Sequence, residues 1–127
     1  SPMRFAGATM DPSGIYRMKS VLELLKKEGL STHQINQHVQ KLQESFLNDL
    51  SKQPIYGITT DQLVVKESTQ RGHFLTFRLK ESREVRQTVE NLWQKNILVD
   101  GRQEYLRVGF GLYQDENDIR EFFRRVT

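Results

Sequence analysis

Apolar residues recur at helical spacing along the first fifth of the chain, at Ile15, Met18, Val21, Leu22 and Leu25, which predicts an amphipathic helix. Asp11 stands where such a helix needs an N-cap, and Pro12 at the first helical position, where a missing N–H costs nothing. Gly29 supplies a left-handed stop. A second helix begins at once. Ser31 and Gln34 read as a capping box, with Leu30 placed to staple onto Ile35. Ile35, Val39, Leu42, Phe46 and Leu50 mark its apolar face, and Pro54 lies beyond its end. Two helices joined by so tight a turn are expected to pack antiparallel.

The pattern then weakens. Residues 53–72 carry Gly, Thr, Gln and Ser around a short Leu63-Val64-Val65 run, and read as an irregular connection holding at most one short strand. Strict alternation returns at His73–Leu79, with Leu75, Phe77 and Leu79 on one side and Phe74, Thr76 and Arg78 on the other. A helix over Ser82–Lys95 follows, with Val85, Val89, Leu92 and Trp93 as its apolar face and Asn96 as a left-handed stop. Ile97–Asp100 and Tyr105–Phe110 read as two strands. Asp100-Gly101 is the hairpin signal between them, with Arg102 to Glu104 lengthening the loop. Asp115 caps a last helix bearing Ile119, Phe122, Phe123 and Val126.

The order helix, helix, strand, helix, strand, strand, helix predicts an α+β fold: a small three-stranded, mainly antiparallel sheet with helices packed on one face. At 127 residues the chain suits one domain, 1–127, with a core that needs no metal or disulfide. Cysteine is absent, which excludes disulfides, zinc–thiolate sites and thiol nucleophiles, and fits a cytoplasmic location. No apolar run approaches the ~20 residues of a membrane span. Nineteen basic against sixteen acidic residues leave a net charge of +3. The basic residues are scattered without an interleaved aromatic stripe, so no nucleic-acid partner is expected. The opening Ser1-Pro2-Met3-Arg4-Phe5 fits a chain cut from something longer.

A self-contained active site is hard to assemble from these residues. His33 and His38 lie five apart on a helix, the wrong spacing for a shared metal face, and His73 opens a strand. There is no Gly-x-Ser-x-Gly elbow and no phosphate-binding glycine loop. Asp115, Glu116 and Asp118 read as favourable charge at a helix N-terminus. Arg107 is different. In Tyr105–Phe110, Leu106, Val108 and Phe110 share one face, and Arg107 and Gly109 share the other. A guanidinium aimed away from the core, with open space beside Gly109 and Gly111, is either an ordinary surface arginine or a bidentate carboxylate receptor.

Three segments in register tip that balance. Arg71-Gly72-His73-Phe74-Leu75-Thr76-Phe77, Ile97-Leu98-Val99-Asp100-Gly101-Arg102 and Tyr105-Leu106-Arg107-Val108-Gly109-Phe110-Gly111-Leu112-Tyr113 together resemble the C-terminal part of class V aminotransferase-type enzymes, the group of cysteine desulfurases, selenocysteine lyases and kynureninases. Arg4-Phe5-Ala6-Gly7-Ala8-Thr9-Met10-Asp11-Pro12-Ser13-Gly14 resembles the segment by which that family leaves its large domain. The resemblance implies a small C-terminal domain whose partner is a missing large domain of the same protein. The whole would be a homodimer that uses pyridoxal phosphate to transaminate or cleave an amino-acid substrate. It implies that Arg107 holds the substrate carboxylate, and that Thr9, beside Ala8, reaches the cofactor phosphate of the neighbouring subunit. Ala8 stands where the family has glycine, His73 where it has a second glycine, and Gln114 where it has asparagine. The cofactor-anchoring lysine usually follows a histidine, and no lysine here does. Alone, the chain is expected to hold no cofactor and to turn over no substrate. The alternative is a stand-alone, non-catalytic binding module with the same fold.

Overall fold

The computed structural model describes residues 19–20, 22–24, 26–27, 29 and 31–127. The chain divides into two compact units, Ser1–Ile35 and Asn36–Thr127. Of the first, the described residues before Gly29 are helical, and Gly29 takes φ 70°, the left-handed stop that its position predicts. The Asp11 cap, the Pro12 position and the Leu30 staple lie outside the described residues.

Helix α1 spans Thr32–Lys52 and starts as the capping box requires. The Ser31 N–H donates to Gln34 Oε1 at 2.8 Å and the Gln34 N–H to Ser31 Oγ at 3.2 Å. Val39, Leu42, Phe46 and Leu50 are buried, spaced so that one stripe faces inward. Past Pro54 the chain makes a two-residue reversal. Ile55 and Ile58 exchange backbone hydrogen bonds across Tyr56 at φ 49° and Gly57 at φ 81°, the double positive φ of a primed hairpin turn. The Leu63-Val64-Val65 run forms a single bridge, Leu63 to Phe77, with the Val64 N–H donating to the Thr76 carbonyl.

Strand β1, Phe74–Arg78, helix α2, Ser82–Gln94, strand β2, Asp100–Arg102, strand β3, Tyr105–Gly109, and helix α3, Glu116–Val126, complete the second unit. The sheet order is β1-β3-β2, antiparallel throughout. This is the expected α+β architecture. Leu75, Phe77 and Leu106 turn inward and are almost fully buried, each worth about 1.5–3 kcal/mol of transfer free energy. Phe46 of α1 is the hub of the core. Its ring lies 5.5 Å from Phe110, 5.2 Å from Phe122 and 5.3 Å from Phe123.

Three local expectations need correction. Asp100-Gly101 is not the hairpin turn. Both residues lie within β2, opposite Arg107 and Leu106, and the turn is Gln103-Glu104, with Gln103 at φ 54°. The run 97–99 is accordingly not strand. It is set by the end of α2, where Asn96 at φ 61° lets the Asn96 and Ile97 N–H groups donate to the Trp93 and Leu92 carbonyls. Finally, Trp93 is not core: it is 59% exposed, and Thr88 takes the inward place instead. Thr88 sits one turn from Val85 and from Leu92, and its hydroxyl is satisfied by the Glu84 carbonyl at 2.9 Å, so it is buried at little cost.

Candidate functional site

The helices cover one face of the sheet, and register decides what stands on the other. Antiparallel partners share a face, so three rows form. Phe74 lies opposite Gly109; Thr76, Arg107 and Asp100 lie side by side; Arg78, Tyr105 and Arg102 lie side by side. β3 is the central strand, and Arg107 sits at its midpoint.

The guanidinium is held on two sides. Its Nε donates to Asp100 Oδ2 at 2.9 Å, and Nη2 bonds the same oxygen. Its Cζ lies 5.1 Å from the centroid of the Phe74 ring, a cation–π distance. The Phe74 ring also lies over Gly109, where an added Cβ would sit 3.2 Å from its Cε1. This corrects one expectation: the space that Gly109 leaves beside Arg107 is filled by Phe74. A guanidinium has five N–H donors, and Asp100 takes two of them. The Nη1–Nη2 edge therefore keeps three donors, with no acceptor among the described residues. The side chain is 42% exposed. A planar fork with its face stacked and one edge tied is preorganised to receive a carboxylate on the other edge.

No family model, no curated protein and no solved structure matches the chain.

The other sequence candidates scatter. Ala8 and Thr9 lie outside the described residues. Nε2 of His38 lies 2.7 Å from the Gln114 carbonyl, and Nε2 of His73 lies 2.9 Å from Asn36 Oδ1. Both tie segments together, and His33 is exposed. Asp115 caps α3: its carboxylate accepts from the Asn117 and Asp118 N–H groups at 2.9 and 3.1 Å, and Asp118 returns the bond to the Asp115 N–H. Among the described residues no cluster of His, Cys, Asp or Glu is arranged to hold a metal, and no helix is long and apolar enough to cross a membrane.

Two surface grooves lie off Arg107, the first of them shared with Arg78. One of about 970 Å³ runs past Tyr56, Arg78, Arg83 and Glu84. The other, of about 380 Å³, runs between Ile97, Phe110 and Phe122. Arg107 lines neither. Asp100 and Phe74 are the partners of Arg107 that sequence reasoning missed. The alternation in β1 already put Phe74 on the outer face, but only the strand register places it, and Asp100, against Arg107.

Proposed function

We propose that this chain is the small C-terminal domain of a pyridoxal-phosphate enzyme of the class V aminotransferase type, and that Arg107 receives the carboxylate of its amino-acid substrate. The observation that carries the reading is the tethered guanidinium itself, central in the sheet, on the face away from the helices, with one edge left to donate. The resemblance of the three segments implies a carboxylate-binding arginine at this position, which supports the reading.

The cofactor finds no seat among the described residues. Every described lysine is exposed, and none stands in the three rows of the open face to form a Schiff base. The reading therefore assigns the cofactor to a large domain, where it would supply the electron sink for bond cleavage beside the amino group. This chain's part is to bind and orient. Arg107 fixes the carboxylate in direction as well as charge, Asp100 prevents the guanidinium from turning, and Phe74 keeps water off one of its faces. The resemblance also implies a homodimer in which Thr9, beside Ala8, would help to hold the neighbouring subunit's cofactor phosphate.

The test joins the chain to the large domain that the reading requires. The assembled protein should show the visible absorbance of bound pyridoxal phosphate. Arg107→Ala should keep that absorbance and raise KM for the amino acid at least tenfold, the cost of a lost charged hydrogen bond of about 1.5–3 kcal/mol. An assembled protein that never takes up the cofactor sinks the reading.

One observation favours a second reading, a stand-alone binding module. A face built to dock a large domain is expected to be broadly apolar. Here exposed Phe74, with exposed Val64 at the β1 edge, is the apolar part of a face that otherwise carries Thr76, Arg78, Asp100, Arg102, Arg107 and half-buried Tyr105. Under that reading Arg107 still binds a carboxylate, but no large domain is needed.

A further inference from the structure

The open face has more positive charge than Arg107 accounts for, and it lies in a different row. Arg78, Arg102 and Arg107 stand there against one carboxylate, Asp100. Asp100 is already bound to Arg107. The uncompensated charge is therefore at Arg78 and Arg102, which flank Tyr105 from the two outer strands. Both are exposed, and neither has an ion-pair or hydrogen-bond partner among the described residues. Each is a diagonal neighbour of Arg107, at about 7–8 Å between backbones, well within the reach of arginine side chains. The strands hold the three backbone positions at fixed spacing, and the exposed Arg78 and Arg102 side chains are ordered on binding.

We infer that this face binds a small ligand carrying two anionic groups, a dicarboxylate. One carboxylate lies on the free edge of Arg107 and the second on Arg78 and Arg102 across Tyr105. The inference rests on the reading of Arg107 as a carboxylate receptor, and it names the substrate class: an amino acid with an acidic side chain. A long polyanion fits less well. β2 is only three residues long, and the Asp100 carboxylate stands inside the positive area, where it repels a continuous run of phosphates.

The test uses the 15N-labelled chain and two five-carbon probes, valerate with one carboxylate and glutarate with two, at matched ionic strength. The readout is the set of arginine Nε–H resonances. Both acids should shift the Arg107 signal. Only glutarate should shift those of Arg78 and Arg102, and it should bind roughly fivefold tighter, the effect of about one exposed ion pair of good geometry. Arg102→Ala with Arg78→Ala should bring glutarate down to the affinity of valerate and leave valerate unchanged. The backbone amide spectrum reports that the variant is still folded. If valerate shifts Arg107 and glutarate binds no tighter, the dicarboxylate inference is overturned and the reading of Arg107 stands. If neither acid moves Arg107, both fall. A preference for glutarate that survives the double substitution also overturns the inference, as does tighter binding of a short RNA that does not depend on Arg107.

Discussion

Gly101 shows how a single position can be read in two ways. Next to an aspartate it looks like a turn, yet it lies in β2 because α2 leaves no room there for a side chain. An added Cβ would lie 2.6 Å from Val85 Cγ1 and 3.0 Å from Val89 Cγ2. Gly101→Ala is therefore expected to destabilise by about 1–3 kcal/mol, as overpacking does. Urea unfolding should show the loss and its partial recovery in a Val85→Ala background. The true turn has the opposite problem. Gln103 takes φ 54°, where glycine is at ease and other residues are strained. Gln103→Gly should stabilise by about 0.5–1 kcal/mol. An unchanged or lower urea midpoint would show that the Gln103 side chain contributes more than its backbone costs.

At the scale of elements, α3 is closed at both ends. The Asp115 box holds its first turn. From its last turn Arg124 and Arg125 hydrogen-bond back to Glu121, and the Glu121 pKa is lowered from 4.5 to about 2. The folded form gives up this proton more readily than the unfolded chain. The stabilisation is therefore present above about pH 4.5 and lost as pH falls through about 2. Glu121→Gln should be less stable than the native chain at pH 7, and the two should converge between pH 4.5 and 2. A gap that stays constant over that range would show that the ion pairs contribute nothing. The pair is exposed, so added salt should narrow the gap as well.

At the scale of the whole molecule, α1 acts as a clamp on the connection leading into β1. Gln40 donates to the Ser68 carbonyl at 3.2 Å, Gln43 to the Gly72 carbonyl at 2.9 Å, and Arg71 to Glu44 Oε1 at 2.7 Å. The Arg71 side chain is only 3% exposed against 62% for Glu44, and its Nε and Nη1, like Gln43 Oε1, are buried without a partner. Such a guanidinium is costly to leave without its carboxylate. Glu44→Ala should cost about 1–2 kcal/mol, less than a fully buried pair because Glu44 faces water. Arg71→Met should be close to neutral. Paired thermal melts decide it: if Glu44→Ala melts like the native chain, the guanidinium is reaching water after all.

Much of this protein is legible along the chain, because helices and strand faces depend on spacing within one segment. The Ser31 and Asp115 caps, the Asn96 stop, the alternation of β1 and the outward direction of Arg107 all follow from local periodicity and backbone preference. What needs two segments at once is not legible. Register moved the hairpin turn from Asp100-Gly101 to Gln103-Glu104. Competition for the inward face put Thr88 in the core and Trp93 in solvent. Only the pairing of β2 and β1 with β3 brought Asp100 and Phe74 to Arg107, and set Arg78 and Arg102 diagonally beside it. Along the strands, sequence determined which residues face outward. Tertiary structure decided which of them meet, because cross-strand neighbours are chosen by packing between segments and not by distance along the chain.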